Sequence, residues 1–437
     1  MDTHTLGQLE TYSQHLAEAV KVLSTRLHSL DSPVGTSPPD ITKDRAVIYA
    51  ILDGIRTLLD EPDYLLSSLT TQVEFLACLK WLAEFQILAC IPPEGSLPIG
   101  DLAELTGVPD VQLHRVIRFT ASSGFLQEPK SHYVSHTAMS ARFLASQPLC
   151  DATIFIAASA IPSALRMADA TRLTSAGRGT NTTAYDVAFS PQRPFRTACE
   201  GHSKLGRQWR AYLDHAASLH SEKELVETFS RLNWLSLGDA CIVEVGAQSS
   251  SMARSLAKTF PNLHFFVQIN NTDTLAMIRD DDRDNASESE LLAAQATTDV
   301  TASARITVTF RETGMPQPVI GAAVYILHLP AVGDLARAEL YRHLGPLRAS
   351  GGMILVLTTR VLPEPGSLPN PRVEAAARAR DLAMLQLANE GEMEMTELLQ
   401  VVDSVSDDVG KLVVANRLAS YNGLILALAL KHVAHGV

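Results

Sequence analysis

The sequence has little of what marks a disulfide-bonded, nucleic-acid-binding or membrane-spanning chain. Its five cysteines, Cys78, Cys90, Cys150, Cys199 and Cys241, form no CxxC pair and sit mostly in apolar runs. Their odd number and scatter argue against a disulfide framework and a zinc site, and fit buried thiols in a reducing compartment. Basic residues are in deficit, with 36 Lys and Arg against 48 Asp and Glu and a formal charge of −12. A nucleic-acid groove needs the opposite surplus. No apolar run reaches the length of about 18 residues that a membrane helix requires. The first residues, MDTHTLGQLETYSQHLAEAV, lack the basic stretch and apolar core of a signal peptide. A cytoplasmic protein without membrane or nucleic-acid partners is expected, and no internal repeat is evident.

What is present is ample material for two cores: 437 residues, 46% apolar and 19% charged. Residues 4–30 place Leu6, Leu9, Leu16, Val20, Val22, Leu23 and Leu27 at helical spacing. A Pro- and Ser-rich loop, DSPVGTSPPD, precedes a second helical stretch from Asp44 to Leu59. VEFLACLKWLAEFQIL is a strongly apolar helix. PIGDLAELTGVPDVQLHRVIRFTASSGFL then reads helix–turn–helix, broken at Gly107 and Pro109, and QEPKSHYVSHTAMSARFLA reads as a β-wing returning to a helix. This predicts a winged helix. Its second helix offers only His114, Arg115 and Arg118, without a wider basic field, so protein or dimer contact is expected of it rather than DNA contact. Helices follow, including Thr153–Ala170 and Ser203–Leu219.

From Cys241 the pattern changes. CIVEVGAQSSSMARSLAKTFPNLHFFVQINN is strand, turn, helix and strand, with the single glycine Gly246 in a turn that continues Ala247-Gln248-Ser249-Ser250-Ser251. A helix at Asp273–Ile278 and the acidic loop DDDRDNASESE come next, then the strands ITVTF and AAVYIL. A helix near Leu335–Leu347, the strand GGMILVLTTR, helices at Arg372–Leu387 and Met395–Val402, and the strands KLVVANRL and GLILALALK complete the chain. Alternating strands and helices predict an α/β, doubly wound and mainly parallel sheet, with an antiparallel element near its end. The expected organisation is a helical extension (1–60), a winged-helix dimerisation domain (61–150), a helical connector (151–235) and a Rossmann-like domain (236–437).

The segments LAELTGVPDVQLHRVIRF, NWLSLGDACIVEVG, LAKTFPNLHFFVQ, YRHLGPLRASGGMILV and RDLAMLQLANEGE, in this order, resemble the plant-and-fungal class of S-adenosylmethionine-dependent O-methyltransferases. The resemblance runs from about Ile51 to Lys431. It implies a homodimer with intertwined amino-terminal regions and a substrate pocket between helical and sheet domains. Within its cofactor pattern Glu244, Val245 and Gly246 match, while Ala247, Gln248 and Ser250 stand where glycines belong. Those glycines let the backbone turn tightly and approach a ligand. The acid that receives the ribose hydroxyls is replaced by Ile269, with an amide at Asn270 or Asn271 as a weaker substitute. The family's His-Asp-Trp is also missing: without a gap its histidine falls on Val332, and with one on His328. A degenerate cofactor site, no bound S-adenosylmethionine and no metal are the expectations.

A fold kept while its cofactor turn and base motif are lost resembles the O-methyltransferase-like pericyclases of fungal natural-product pathways. The resemblance implies a Diels–Alder, hetero-Diels–Alder or Alder-ene step on a polyketide-type small molecule, in an apolar cavity holding a reactive conformer. A donor on the developing carbonyl charge would come from His328 or Arg337, with Asp334 in the same loop. Ser159, Ser163 and Arg166 on the helical wall, and Met384 and Asn389 near the later acidic position at Glu392 or Glu394, would line the substrate. Two alternatives stand beside this reading: an active O-methyltransferase of a secondary metabolite, and a non-catalytic dimeric scaffold or regulator that uses its winged helix for partners.

Overall fold

The computed structural model describes residues 2–30, 41–176, 182–190, 193–217, 222–247, 249–270, 304–329, 333–357, 361–368, 370–420 and 426–435. The acidic loop, the helix expected at Asp273–Ile278, and the positions Gln248, Asn271 and Val332 lie outside these residues. The chain divides into two compact units, Met1–Ala217 with Asn370–Arg372, and Ser218–Pro369 with Val373–Val437.

In the first unit the helix Thr3–Leu30 packs along Ile41–Leu59. Gly54 permits the approach, since a Cβ there would lie 2.6 Å from the Tyr12 ring. The helix Pro62–Glu84 starts on a proline that needs no N–H partner. The winged helix follows as expected: β1 (Leu97–Pro98), helices Ile99–Thr106 and Asp110–Ser122, β2 (Leu126–Gln127) and β3 (Tyr133–His136), with the sheet order β1-β3-β2. Gly107 ends the first helix at φ 69°, a left-handed cap that explains the break between the two helices. Leu102, Leu113, Ile117, Phe125 and Val134 close one apolar core around Leu82.

The remaining helices of this unit gather Phe155, Tyr185, Phe195, Trp209 and Tyr212 into a continuous aromatic cluster. Asp151 is buried beside it and paired with Arg207 at 2.7 Å. One helical stretch, Gln147–Ser175, is long and apolar enough for a membrane span. It meets that criterion by length and composition only. The stretch carries Asp151, Arg166, Asp169 and Arg172 and changes to a π-helix over Ile156–Ala160, which explains why no uninterrupted apolar run was visible.

The second unit is a seven-stranded sheet: β4 (Cys241–Ala247), β5 (His264–Ile269), β6 (Ile306–Phe310), β7 (Val324–His328), β8 (Met353–Leu357), β9 (Gly410–Ala419) and β10 (Leu426–Ala434), in the order β6-β5-β4-β7-β8-β10-β9. The first five are parallel, and β10 runs antiparallel between β8 and β9. Central β4 is buried on both faces. Ile242 packs with Met252, Ala253 and Leu256 of the helix Ser251–Thr259, and Val243 and Val245 pack with Leu340, Leu344 and Leu347 of the helix Gly333–Ser350. This is why CIVEV reads as a continuous apolar run interrupted only by Glu244. The chain moves outward from β4 through β5 to β6, then returns to pair β7 on the other side of β4. The strand order therefore reverses between β4 and β7, where open α/β sheets form their ligand crevice.

Candidate functional site at the β4–β7 crevice

Among the described residues of the expected cofactor turn, Gly246 is the one whose backbone calls for glycine. It sits at φ 73°, and a Cβ there would lie 3.0 Å from the His328 carbonyl oxygen. The pairing of β4 with β5 steps over it, so that Val245 faces Gln268 and Ala247 faces Ile269. Gly246 thus forms a bulge. Ala247 continues the strand with its side chain in the core. Ser250 then opens the helix Ser251–Thr259 without a side-chain cap bond, and the Ser249 and Ser251 hydroxyls lie 2.7 Å apart. A strand has taken the place of the first part of a glycine loop.

Across the crevice, His328 Nε2 lies 2.9 Å from Glu244 Oε1. A strand 324–328 rather than 322–327 makes His328 the last residue of β7 and not a loop residue. The Glu244 side chain is 3% exposed and that of His328 25%. Glu244 Oε2 is buried and has no hydrogen-bond partner. A buried carboxylate thus holds one imidazole nitrogen at the carboxyl edge of the sheet.

The other expected donors do not join this pair. Asp334 and Arg337 lie on the first turns of the helix Gly333–Ser350, both exposed, 3.6 Å apart in an i,i+3 ion pair. Gly333 and Asp334 supply a helix start, where an acid meets the positive end of the dipole, so the expected loop is helical. Ser159 and Ser163 are buried in the first unit, and the Ser163 hydroxyl donates to the Ser159 carbonyl at 2.8 Å, bonding back along its own helix. Arg166 is exposed and pairs with Asp169 at 3.2 Å. Met384 is buried in the helix Pro371–Ala388, and Asn389 ends that helix exposed at φ 54°. Glu392 is buried against Arg380 at 2.7 Å, while Glu394 caps the helix Met395–Asp403.

A buried polar network that the sequence reading missed lies between β5 and the helix Gly333–Ser350. Gln268 and Gln317 exchange two amide hydrogen bonds, 2.8 and 2.9 Å. Gln317 Nε2 also lies 3.0 Å from His343 Nε2, and His343 Nδ1 lies 2.8 Å from the Glu339 carbonyl. This pattern assigns the proton to Nδ1 and leaves Nε2 as acceptor from Gln317. Burial holds the His343 imidazole down to about 4, from 6.5. Glu339 receives Arg311 Nη1 at 2.6 Å and the Gly314 amide at 2.7 Å, binding the segment after β6 to the helix Gly333–Ser350. The sequence signal was ELYRHL, whose Glu and His fall four apart on the same buried face as Ala336, Leu340, Leu344 and Leu347.

S-adenosylmethionine, the cofactor of the resembling class, is a poor match to these residues. Ile269 stands where the ribose acid belongs and is fully buried in the core. Asn270 is exposed, with its amide 3.5 Å from the Thr313 hydroxyl. No carboxylate ends β5, and Ala247, where the class pattern has a glycine, turns its side chain into the core.

No family model matches the chain. Among solved structures, that of LepI in complex with SAM aligns at TM-score 0.66 and 15% identity, covering 95% of this chain and all of that one. The mitomycin 7-O-methyltransferase MmcR aligns at TM-score 0.60 and 19% identity over 85% of this chain and 98% of that one. These likenesses establish the O-methyltransferase fold. Sequence relatives reach further. The notoamide biosynthesis cluster transcriptional coactivator notR of Aspergillus sp. (strain MF297-2) is 46% identical over 98% of this chain and 97% of its own. The monodictyphenone cluster transcriptional coactivator mdpA of Emericella nidulans is 35% identical over 99% of both chains. The chain belongs to this family of fungal cluster transcriptional coactivators. The trypacidin cluster coactivator tpcD of Aspergillus fumigatus, 38% identical over 99% of this chain, is a further member. The chain thus shares a fold with a methyltransferase and with a solved structure described as a pericyclic reaction enzyme, TM-score 0.66 at 15% identity.

Proposed function

We propose that this protein is a transcriptional coactivator of a fungal secondary-metabolite gene cluster, built on an O-methyltransferase fold and working without methyl transfer. The observation that carries the reading is full-length kinship: relatives of 35 to 46% identity that span at least 98% of the chain bear coactivator names. The altered crevice supports it, because Ile269, Ala247 and the absent His-Asp-Trp remove the groups that methyl transfer uses. The acidic balance of the chain supports action through a DNA-binding protein rather than through DNA directly. The test is a promoter reporter in a heterologous fungal host carrying the DNA-binding regulator encoded in the same cluster. The expected result is strong transcription only when both proteins are present. Equal transcription with the regulator alone would overturn the reading.

A second reading, the pericyclase, is favoured by one observation: His328, oriented by the buried Glu244, is a hydrogen-bond donor or acceptor at the edge where this fold takes its ligand. It predicts that purified protein speeds cyclisation of polyene or quinone-methide precursors, and that His328→Ala loses the acceleration. Rates and product ratios equal to those in buffer would remove it.

A further inference from the structure

We propose that His114 and His132 of the winged helix together bind a borderline divalent metal ion such as Zn²⁺. His114 Nε2, on the helix Asp110–Ser122, and His132 Nδ1, on the residue before β3, face each other at 3.4 Å. Two imidazole nitrogens on a tetrahedral Zn²⁺, each about 2.0–2.1 Å from the metal, stand about 3.4 Å apart. Protein N–H···O hydrogen bonds centre on about 2.9–3.0 Å, so the observed spacing is long for a bond between the rings and right for a shared ion. The rings meet edge to face, with centroids 4.8 Å apart. The outer torsion of histidine is soft, so both lone pairs can turn onto one ion.

The two residues are held where they face each other. Leu113, Val116 and Ile117 seat their helix in the apolar core, and the His114 side chain keeps 19% exposure on its outer side. His132 holds φ 66°, a left-handed conformation that few residues other than glycine accept. Its N–H donates to Glu128 Oε1 at 2.9 Å, and its carbonyl accepts the Ile99 N–H at 2.9 Å. The wing is thus strained at the residue that meets His114, and such strain collects at functional positions.

The donor set selects the ion. Imidazole nitrogen suits Zn²⁺, Ni²⁺ and Cu²⁺, whereas Mg²⁺ and Ca²⁺ take oxygen. Asp110 Oδ1 lies 3.6 Å from His114 Nε2, near enough to join the ligands or to hold a metal-bound water. Among the described residues no ready-made group of three ligands stands together, so water completes the coordination sphere. His132 is exposed, which gives the ion and its waters access. The sequence expectation of no metal drew on the cysteines, and none of them takes part. Held by both rings, the ion ties the second helix of the winged helix to its wing.

The experiment strips the full chain of metal with EDTA, removes the chelator, and titrates ZnCl₂, NiCl₂ and MgCl₂ by calorimetry and thermal shift. The wild type is expected to take up Zn²⁺ and Ni²⁺ in a saturable step that raises the melting temperature, and to ignore Mg²⁺. His114→Gln and His132→Asn should each weaken that step at least about tenfold. Asparagine also accepts the left-handed backbone, so the second variant keeps the shape of the wing. The remaining histidines are common to wild type and variants, so any binding at them cancels in the comparison. Either variant alone decides the matter if the other does not fold. Unchanged Zn²⁺ binding in a folded variant, an equal shift from Mg²⁺, or no Zn²⁺ response in the wild type would overturn the assignment. A plain hydrogen bond between the rings gives the last of these results. The reporter assay tests the coactivator reading separately, so failure of one leaves the other standing.

Discussion

His328 Nε2 and Glu244 Oε1, 2.9 Å apart, tie the last residue of β7 to the middle of β4 across the point where the sheet changes direction. The bond spans 84 positions of sequence, and one partner is buried while the other reaches solvent. His328→Ala removes the donor and leaves the whole carboxylate buried without a partner. A loss of about 2 kcal/mol is expected, below the cost of breaking a fully buried pair because the histidine is partly solvated. Glu244→Gln removes an uncompensated charge instead and should raise stability by about 1 kcal/mol. Denaturant titrations of both variants check the opposite signs.

Gly246→Ala should cost about 1–2 kcal/mol from the positive φ alone, with a further loss because the new methyl meets the His328 carbonyl at 3.0 Å. Ala247→Gly, next to it in a regular strand position, should cost less than Gly246→Ala. Comparing the two melting temperatures separates a required glycine from one that was dispensable.

His343 gives a pH dependence with a definite direction. Its folded value is lowered to about 4 from 6.5 by burial, so between those values the unfolded chain binds the extra proton. Stability is full above about 6.5 and falls as pH drops toward 4, with a slope approaching 1.4 kcal/mol per pH unit for one proton. Unfolding midpoints measured at several pH values in this window should show the slope in the wild type. His343→Gln should show a shallower one.

Arg311→Met should destabilise the protein by about 3 kcal/mol, since it strands Glu339 in the interior. The double variant Arg311→Met with Glu339→Leu should recover most of that loss, which a double-mutant cycle measures. Asp334→Ala and Arg337→Ala, by contrast, remove an exposed ion pair. Each should change stability by less than about 0.5 kcal/mol.

The sequence was most legible where periodicity and punctuation agree. The winged helix, from Ile99 to His136, carries Leu102, Leu113 and Ile117 on buried faces and Gly107 at the break, and it folds as its pattern says. The seven strands were legible because each is a short apolar run bounded by turns. Site residues were harder to read. His328 was visible only as a lone histidine after a strand, and its partner Glu244 as part of a cofactor motif, because a hydrogen bond between parallel strands leaves no mark on local spacing. Arg337 and Asp334 look alike in sequence whether they face a pocket or water. Gln268, Gln317 and His343 were missed for the same reason: their meeting depends on sheet order and helix placement, with only the Glu339–His343 interval written locally.

The order β8-β10-β9 has a consequence for how the chain reaches its fold during synthesis. β8 and β9 never bond to each other, and the strand that joins them, Leu426–Ala434, leaves the ribosome after both. Until it arrives, the half-built sheet ends at β8 with an open hydrogen-bonding edge, and β9 has no place to attach. A nascent chain stalled before Leu426 therefore exposes a sticky edge and presents itself to chaperones and proteases as unfinished. Completion of the sheet waits on the last of its strands to be made, so this topology inspects its own product.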